Sequence, residues 1–208
     1  MRSNRAFRIH SATAVLTVLL LAGCQSARVE HPLTRELGSN DPGQQLEFWD
    51  RLANQPVTCN DDAFHGLLMF LDGDDPAEDY PSRVRALRSR RMLPAGFDQP
   101  AEKAVDRGTL AVAILRALKI EGGLLLRLFG PNPRYAVREL VFMELYPPSS
   151  PNQTFSGAEF LGIIGKLEDY QRQQGTLPQE SGLQVTPEPR PGVQPAPPGV
   201  AGTGPRPG

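Results

Sequence analysis

The chain has 208 residues, enough for one core and one domain, and carries 22 basic against 23 acidic side chains, a net charge of −1. That balance excludes the strongly basic domain of a general nucleic-acid binder, so no nucleic-acid partner is expected. Three histidines and two cysteines in the whole sequence are too few and too scattered for a histidine metal site or a Ser-His-Asp hydrolase site, and no Gly-rich phosphate loop or dinucleotide fingerprint occurs. The expectation is a non-enzymatic protein without metal or cofactor.

At the N-terminus Arg2, Arg5 and Arg8 stand without an acid, followed by an apolar run from Ala12 to Ala22 broken only by Thr13 and Thr17. The run is too short to need reading as a spanning helix. It ends in Leu21-Ala22-Gly23-Cys24, which resembles the lipobox of bacterial lipoproteins. The resemblance implies cleavage before Cys24, acylation of its sulfur and a membrane partner reached through those acyl chains. Two or three chains hold stably where one holds weakly. Gln25, not Asp, follows the cysteine, which by the same resemblance implies an outer-membrane destination where the cell has one. Loss of residues 1–23, which hold three arginines and no acid, turns 22 basic residues into 19 against 23 acids, a net charge of −4. Cys59 is then the one remaining thiol and has no intramolecular partner. It is expected as a partly buried small residue, with an intermolecular bridge or a reactive thiol as alternatives.

Residues 24–43, with Gly, Pro, Ser and Asn and little apolar period, are expected to be a flexible tether. A single, mainly α domain is expected over 44–172. Leu46, Phe48, Trp49 and Leu52 predict a first helix stopping before Pro56. Ala63, Leu67, Phe70 and Leu71 predict a second, ended by Asp72-Gly73. The acidic run Asp72–Asp79 lacks the spacing of an EF-hand loop, so it reads as a solvated turn or a loose calcium site. Val84, Leu87 and Met92 mark a third helix closed by Pro94, and Leu110, Ile114 and Leu118 a fourth ended by Gly122-Gly123. Leu124–Phe129 is a short apolar run that fits strand or helix. Val137, Leu140, Val141 and Leu145 precede Pro147-Pro148 as a fifth helix, and Phe160, Leu161, Ile164 and Leu167 make a sixth. His65 sits on an apolar helix as a core-edge residue. The end, 173–208, is expected to be disordered, since Thr176–Gly208 holds nine prolines and six glycines in 33 residues and buries too little to offset its ordering entropy.

Three segments repeat at near-equal spacing. VTCNDDA (57–63), VDRGTLA (105–111) and FSGAEFL (155–161) each put an apolar residue before Thr58, Asp106 or Ser156, and Asp61, Thr109 or Glu159 three positions later. A period near 50 marks repeated supersecondary units. The shared chemistry is helix initiation. The first polar residue is placed as N-cap, the second as capping-box partner, and Val57, Val105 or Phe155 as a hydrophobic staple. RVRALRSRRMLP (83–94) also aligns with AVRELVFMELYP (136–147).

With Arg116-Ala117-Leu118 and the turn residues Met92-Leu93-Pro94 and Gly96-Phe97, these units resemble the S-layer homology family. The resemblance implies three helix–loop–helix units around a pseudo-threefold axis, binding acidic wall polysaccharide in the grooves between units through the motif arginine. Only the middle unit has that arginine, Arg107; Cys59 and Gly157 stand at the equivalent places, and the linker Ala53–Pro56 is compressed. Arg107 is thus either a solvated cap-turn residue or a polymer contact. Arg83, Arg85 and Arg88, with Arg90 and Arg91, form either a solvated face or a patch for acidic glycan or lipid phosphate. The expected function is a lipid-anchored envelope protein whose repeat domain binds wall polymer or an envelope partner. The alternatives are an adaptor of an envelope assembly and a small envelope hydrolase.

Overall fold

The structure, a computed structural model, describes residues 27–175. The lipobox-like residues Leu21, Ala22 and Gly23, the expected acyl acceptor Cys24 and the Pro/Gly-rich segment from Thr176 lie outside the described residues. Within them the protein is mainly α, with seven helices, one helical turn (Thr34–Leu37) and two isolated bridges, Arg28 with Lys103 and Cys59 with Ala104.

Local chemistry accounts for most helix starts. In α1 (Pro42–Ala53) the Asp41 carboxylate accepts from the amides of Gly43 and Gln44, ahead of proline in the first turn. α3 (Tyr80–Ser89) is capped by Asp79, α6 (Pro133–Phe142) by Asn132, and α7 (Gly157–Gln173) by a complete Ser156–Glu159 capping box. α2 (Asn60–Asp72) ends in Gly73, whose left-handed φ of 80° suits a residue without a Cβ. α4 (Arg107–Ala117) is buried without interruption from Arg107 to Leu115, because other elements surround it on all sides. The ambiguous run Leu124–Phe129 is a short helix, α5.

Two helices stop earlier than their apolar period suggested, and for one reason. α3 ends before Met92 and α6 before Leu145, with Arg91 (φ 56°) and Glu144 (φ 61°), equivalent positions of the repeat, both left-handed. The next amide then bonds back, Met92 to the Leu87 carbonyl and Leu145 to that of Leu140, each at 2.9 Å. The turn swings Met92 and Leu145 into the core, so the apolar spacing continues although the helix does not.

The three helix pairs are α1–α2, α3–α4 and α6–α7, with α5 between the second and third. The second helix of each pair packs on the first helix of the next: α2 on α3, α4 on α6, α7 on α1. The backbone closes the same circle. The leading amides of α2, Asn60 and Asp61, donate to Lys103 and Ala101 of the loop before α4. Those of α4, Arg107 and Gly108, donate to Gln153 and Pro151 of the loop before α7. The first amide of α7, Gly157, donates to Gln55 of the loop before α2. Amides that a helix leaves unpaired at its start are thus supplied by a different unit each time. At the centre, Thr58 donates to the Phe155 carbonyl and Val105 to that of Thr58, and all three residues are buried.

This circle corrects the register of the first repeat. The N-cap of α2 is Cys59, not Thr58. Thr58 occupies the buried position held by Val105 and Phe155, and its hydroxyl has no hydrogen-bond partner. Asp106 holds the expected cap position of α4, but its side chain makes no capping bond; it pairs instead with Lys103 at 3.1 Å.

Residues 27–43 are part of the domain, a correction to the expected tether. Val29 donates to the Glu102 carbonyl, Leu37 joins the core, and the buried Thr34 is held by carboxylates of α2. The segment lacks an apolar period because polar bonds fix it.

Candidate functional site

Arg107 lies at the joint between the second and third units. Its guanidinium donates from Nε to the Thr154 carbonyl at 3.0 Å, from Nη1 to Ser149 Oγ at 2.8 Å and from Nη2 to Glu159 Oε1 at 2.6 Å. It also lies over the Phe155 ring, 4.7 Å from the centroid. The residue is 6% exposed. Neither expected state, a solvated turn residue or a free polymer contact, is what is found: Arg107 clamps two units together. Glu159 serves the cap of α7 and this clamp at once, and its carboxyl is held below the usual range by the Ser156 amide first and Arg107 second. At the equivalent place in the first unit Asn60 Nδ2 donates to the Pro100 carbonyl at 2.9 Å. In the third unit the place is filled from outside, since a Cβ on Gly157 would lie 1.5 Å from the Leu52 carbonyl oxygen.

Arg83 is likewise buried, a correction to its place on a solvated arginine face. Its Nε meets Asp75 Oδ2 at 2.5 Å and its Nη1 meets Asp61 Oδ1 at 2.8 Å. The same Asp75 oxygen lies 2.7 Å from His65 Nδ1. Burial alone would raise the Asp75 carboxyl, but hydrogen bonds from His65 and Arg83 outweigh it and hold the group below the usual range. Asp62, beside them, accepts from the Thr34 amide at 3.0 Å and from Cys59 Sγ at 3.2 Å. With no cation in hydrogen-bond contact, its carboxyl is pushed up by burial. Burial also pushes the Cys59 thiol up, so it stays protonated and inert. His65 is fully buried, edge-on to Phe48. This network ties residues 34–40, α2, the acidic loop and α3. Asp75 of that loop is thereby a buried ion-pair partner and not a solvated turn residue.

Arg85 and Arg88 remain exposed, donating to Ser82 Oγ and the Phe97 carbonyl. The structure therefore does not gather the four candidate arginines into one surface: two are locked inside and two lie on the outer side of α3. Among the described residues no group of three or more His, Cys, Asp or Glu side chains is placed to hold a metal ion, and no helix is long and apolar enough to cross a membrane.

Two apolar surfaces are open instead. The first is a groove of about 380 Å3 where α7 meets α1 and α2, lined by Trp49, Met69, Phe70, Leu161, Ile164 and Gly165, with Glu168 at its rim. Nothing lies within 4 Å of the Cβ position of Gly165, so this glycine keeps the groove open. The second is formed by α5 and α6. Leu124 is 73% exposed, Leu128 65%, Phe129 64% and Phe142 84%. Leu124, Tyr135, Arg138, Glu139 and Phe142 line one cleft of about 270 Å3, and Phe129 stacks on Tyr135 with centroids 5.9 Å apart.

No protein-family model, curated protein or solved structure matches the chain. Its functional reading therefore rests on these surfaces and on the sequence. Both surfaces eluded sequence reading, although each left a trace: Gly162 and Gly165 interrupt the apolar stripe of α7, and Gly122-Gly123 and Gly130-Pro131 bracket a leucine-rich run too short to be a core helix.

Proposed function

We propose that this is a lipid-anchored, non-enzymatic protein of the cell envelope, held to a membrane through acylated Cys24. In this reading its threefold domain binds an envelope partner protein in the groove between α1, α2 and α7. One observation carries the choice of a protein over an acidic polymer: the open groove between units is apolar and aromatic, with Trp49, Phe70 and Leu161 along it. A polymer anion calls for free guanidinium groups, and Arg107 and Arg83 have theirs engaged. Aromatic and large aliphatic side chains around a concavity are what anchor residues of a protein partner fill.

The test uses Gly165→Leu. The new side chain enters open space and fills the groove, while replacing glycine inside a helix should add up to about 1 kcal/mol of stability. Crosslinking in cells from a photoreactive residue at Leu161 should capture a defined partner in the native background and lose it, by about tenfold or more, with Gly165→Leu. A variant that is more stable yet captures as before counts against the groove. Retention of the protein on purified wall sacculi, lost on replacing the exposed Arg85 and Arg88, would favour the polymer reading instead. Release from membranes by Cys24→Ala checks the anchor separately.

A further inference from the structure

We infer that the α5–α6 surface is a second membrane attachment, lying against the anionic headgroups of the bilayer to which the protein is lipid-anchored. The inference rests on the anchor reading but not on the groove.

Its first support is the surface itself. Four large apolar side chains, Leu124, Leu128, Phe129 and Phe142, are each more than 60% exposed, and they stand on neighbouring elements that share one cleft and one ring stack. Apolar side chains that stand this far out of the domain suit a fluid apolar phase, which needs no matching shape. Its second support is charge. Residues 116–142 hold five basic side chains, Arg116, Lys119, Arg127, Arg134 and Arg138, against two acids, Glu121 and Glu139. The chain without residues 1–23 is net negative, so this positive stretch runs against the trend of the molecule. Glu139 lines the same cleft, where its carboxylate accepts from the Gly123 amide at 3.3 Å, and the basic side chains still outnumber it. On α6 Arg134, Arg138 and Phe142 follow at intervals of four, which puts two guanidinium groups and a phenyl ring on one stripe, and all three are exposed. Exposed apolar residues flanked by guanidinium groups, here Arg134 and Arg138, are the chemistry of an element lying in the headgroup region, its apolar side sunk roughly 5–10 Å and its cations on lipid phosphates.

Reach permits both attachments at once. Ala27, three residues from Cys24, accepts from the Ala104 amide just before α4, and α5 follows shortly after the other end of α4. The 11 residues of α4 span about 16 Å. The anchor point and the α5–α6 surface are thus separated by about the length of one short helix, a distance over which both can meet one bilayer. One acyl anchor leaves a domain free to swing; two contacts fix which side faces the membrane and hold the α7 groove at a defined height.

The experiment uses the mature lipidated chain in vesicles of phosphatidylethanolamine and phosphatidylglycerol whose acyl chains carry bromine as a contact quencher. The chain has one tryptophan, Trp49, which serves as reference, and Phe129→Trp adds a reporter at an exposed site. Flotation with the vesicles reports the anchor, and quenching at residue 129 reports docking. The expected result is flotation with quenching at position 129 about threefold or more above that of Trp49, falling when phosphatidylcholine replaces the anionic lipid. Flotation with a tryptophan at 129 that acrylamide reaches freely would overturn the docking and leave the anchor standing. Protection from acrylamide without bromine quenching marks a protein contact and overturns it too. Failure to float overturns anchor and docking together.

Discussion

Single residues in this domain are asked to act on two structures at once, and Asp62 shows the cost. It sits third in α2 and uses its carboxylate to hold Thr34 and Cys59, but the cation of the neighbourhood, Arg83, is taken by Asp61 and Asp75. Burial without a counterion raises its folded-state pKa above the unfolded value. The stability linked to this group is therefore complete below the ordinary carboxylate pKa and lost as pH rises through the raised value. Asp62→Asn keeps an oxygen for the Thr34 amide and removes the ionisation. Urea denaturation should show the variant more stable than the native chain near pH 8, with the two converging toward pH 4. An advantage that instead grows on acidification would show that Asp62 is stabilised as the anion. Asp75 runs the other way: held low by His65 and Arg83, it contributes at neutral pH and loses its contribution as pH falls. It is common to both chains, so it cancels in the comparison.

At the scale of elements, close approach decides what may stand at a helix start. Gly157 opens α7 with the end of α1 against its Cα, and a Cβ there would overlap the Leu52 carbonyl oxygen at 1.5 Å. Backbone cannot yield as a side chain can, so Gly157→Ala should cost about 3 kcal/mol or more, read as a fall in the urea midpoint with the slope unchanged. A loss below about 1 kcal/mol would mean that α1 and α7 slide apart freely. This glycine also explains how much of the fold was legible. The capping pair Ser156–Glu159 and the Asp72-Gly73 stop announce themselves locally, and so do the apolar stripes, so the helices were readable. Two things were not. The slip of one residue that makes Cys59 the cap is invisible because Thr58 is itself a good cap residue; only the ring of backbone bonds shows that it lies one place too early. The burial of Arg83 and Arg107 was hidden because Asp61 and Glu159, which pair with them, come from other units, and sequence spacing carries no record of that. Arg83 did stand four residues before the buried Leu87, on the apolar stripe of α3. That was the one available sign.

For the whole molecule the governing feature is the circular exchange of backbone bonds among three units. Each unit supplies carbonyls to one neighbour and takes them from the other, so no pair of units is self-sufficient. A chain ending at Ser150 keeps both helices of the first two units but loses the carbonyls of Pro151 and Gln153 that receive α4's leading amides. It also loses α7, against which α1 packs. It should show no cooperative urea transition and exchange its amides rapidly throughout, whereas independent folding of the first 150 residues would show that the ring only decorates a core already complete.

The direction of that ring bears on how the protein reaches its place. α7 is the last helix among the described residues, and its first amide finds its acceptor in Gln55, near the start of the domain. Folding of the domain therefore waits for α7 and cannot be completed from the leading end. Under the proposed lipid anchoring the chain would cross a membrane as an open thread before acylation, and this delay would then be protective. No early segment can lock into a finished piece while the remainder is still on the far side, and the arrival of the final helix is the event that makes the domain rigid.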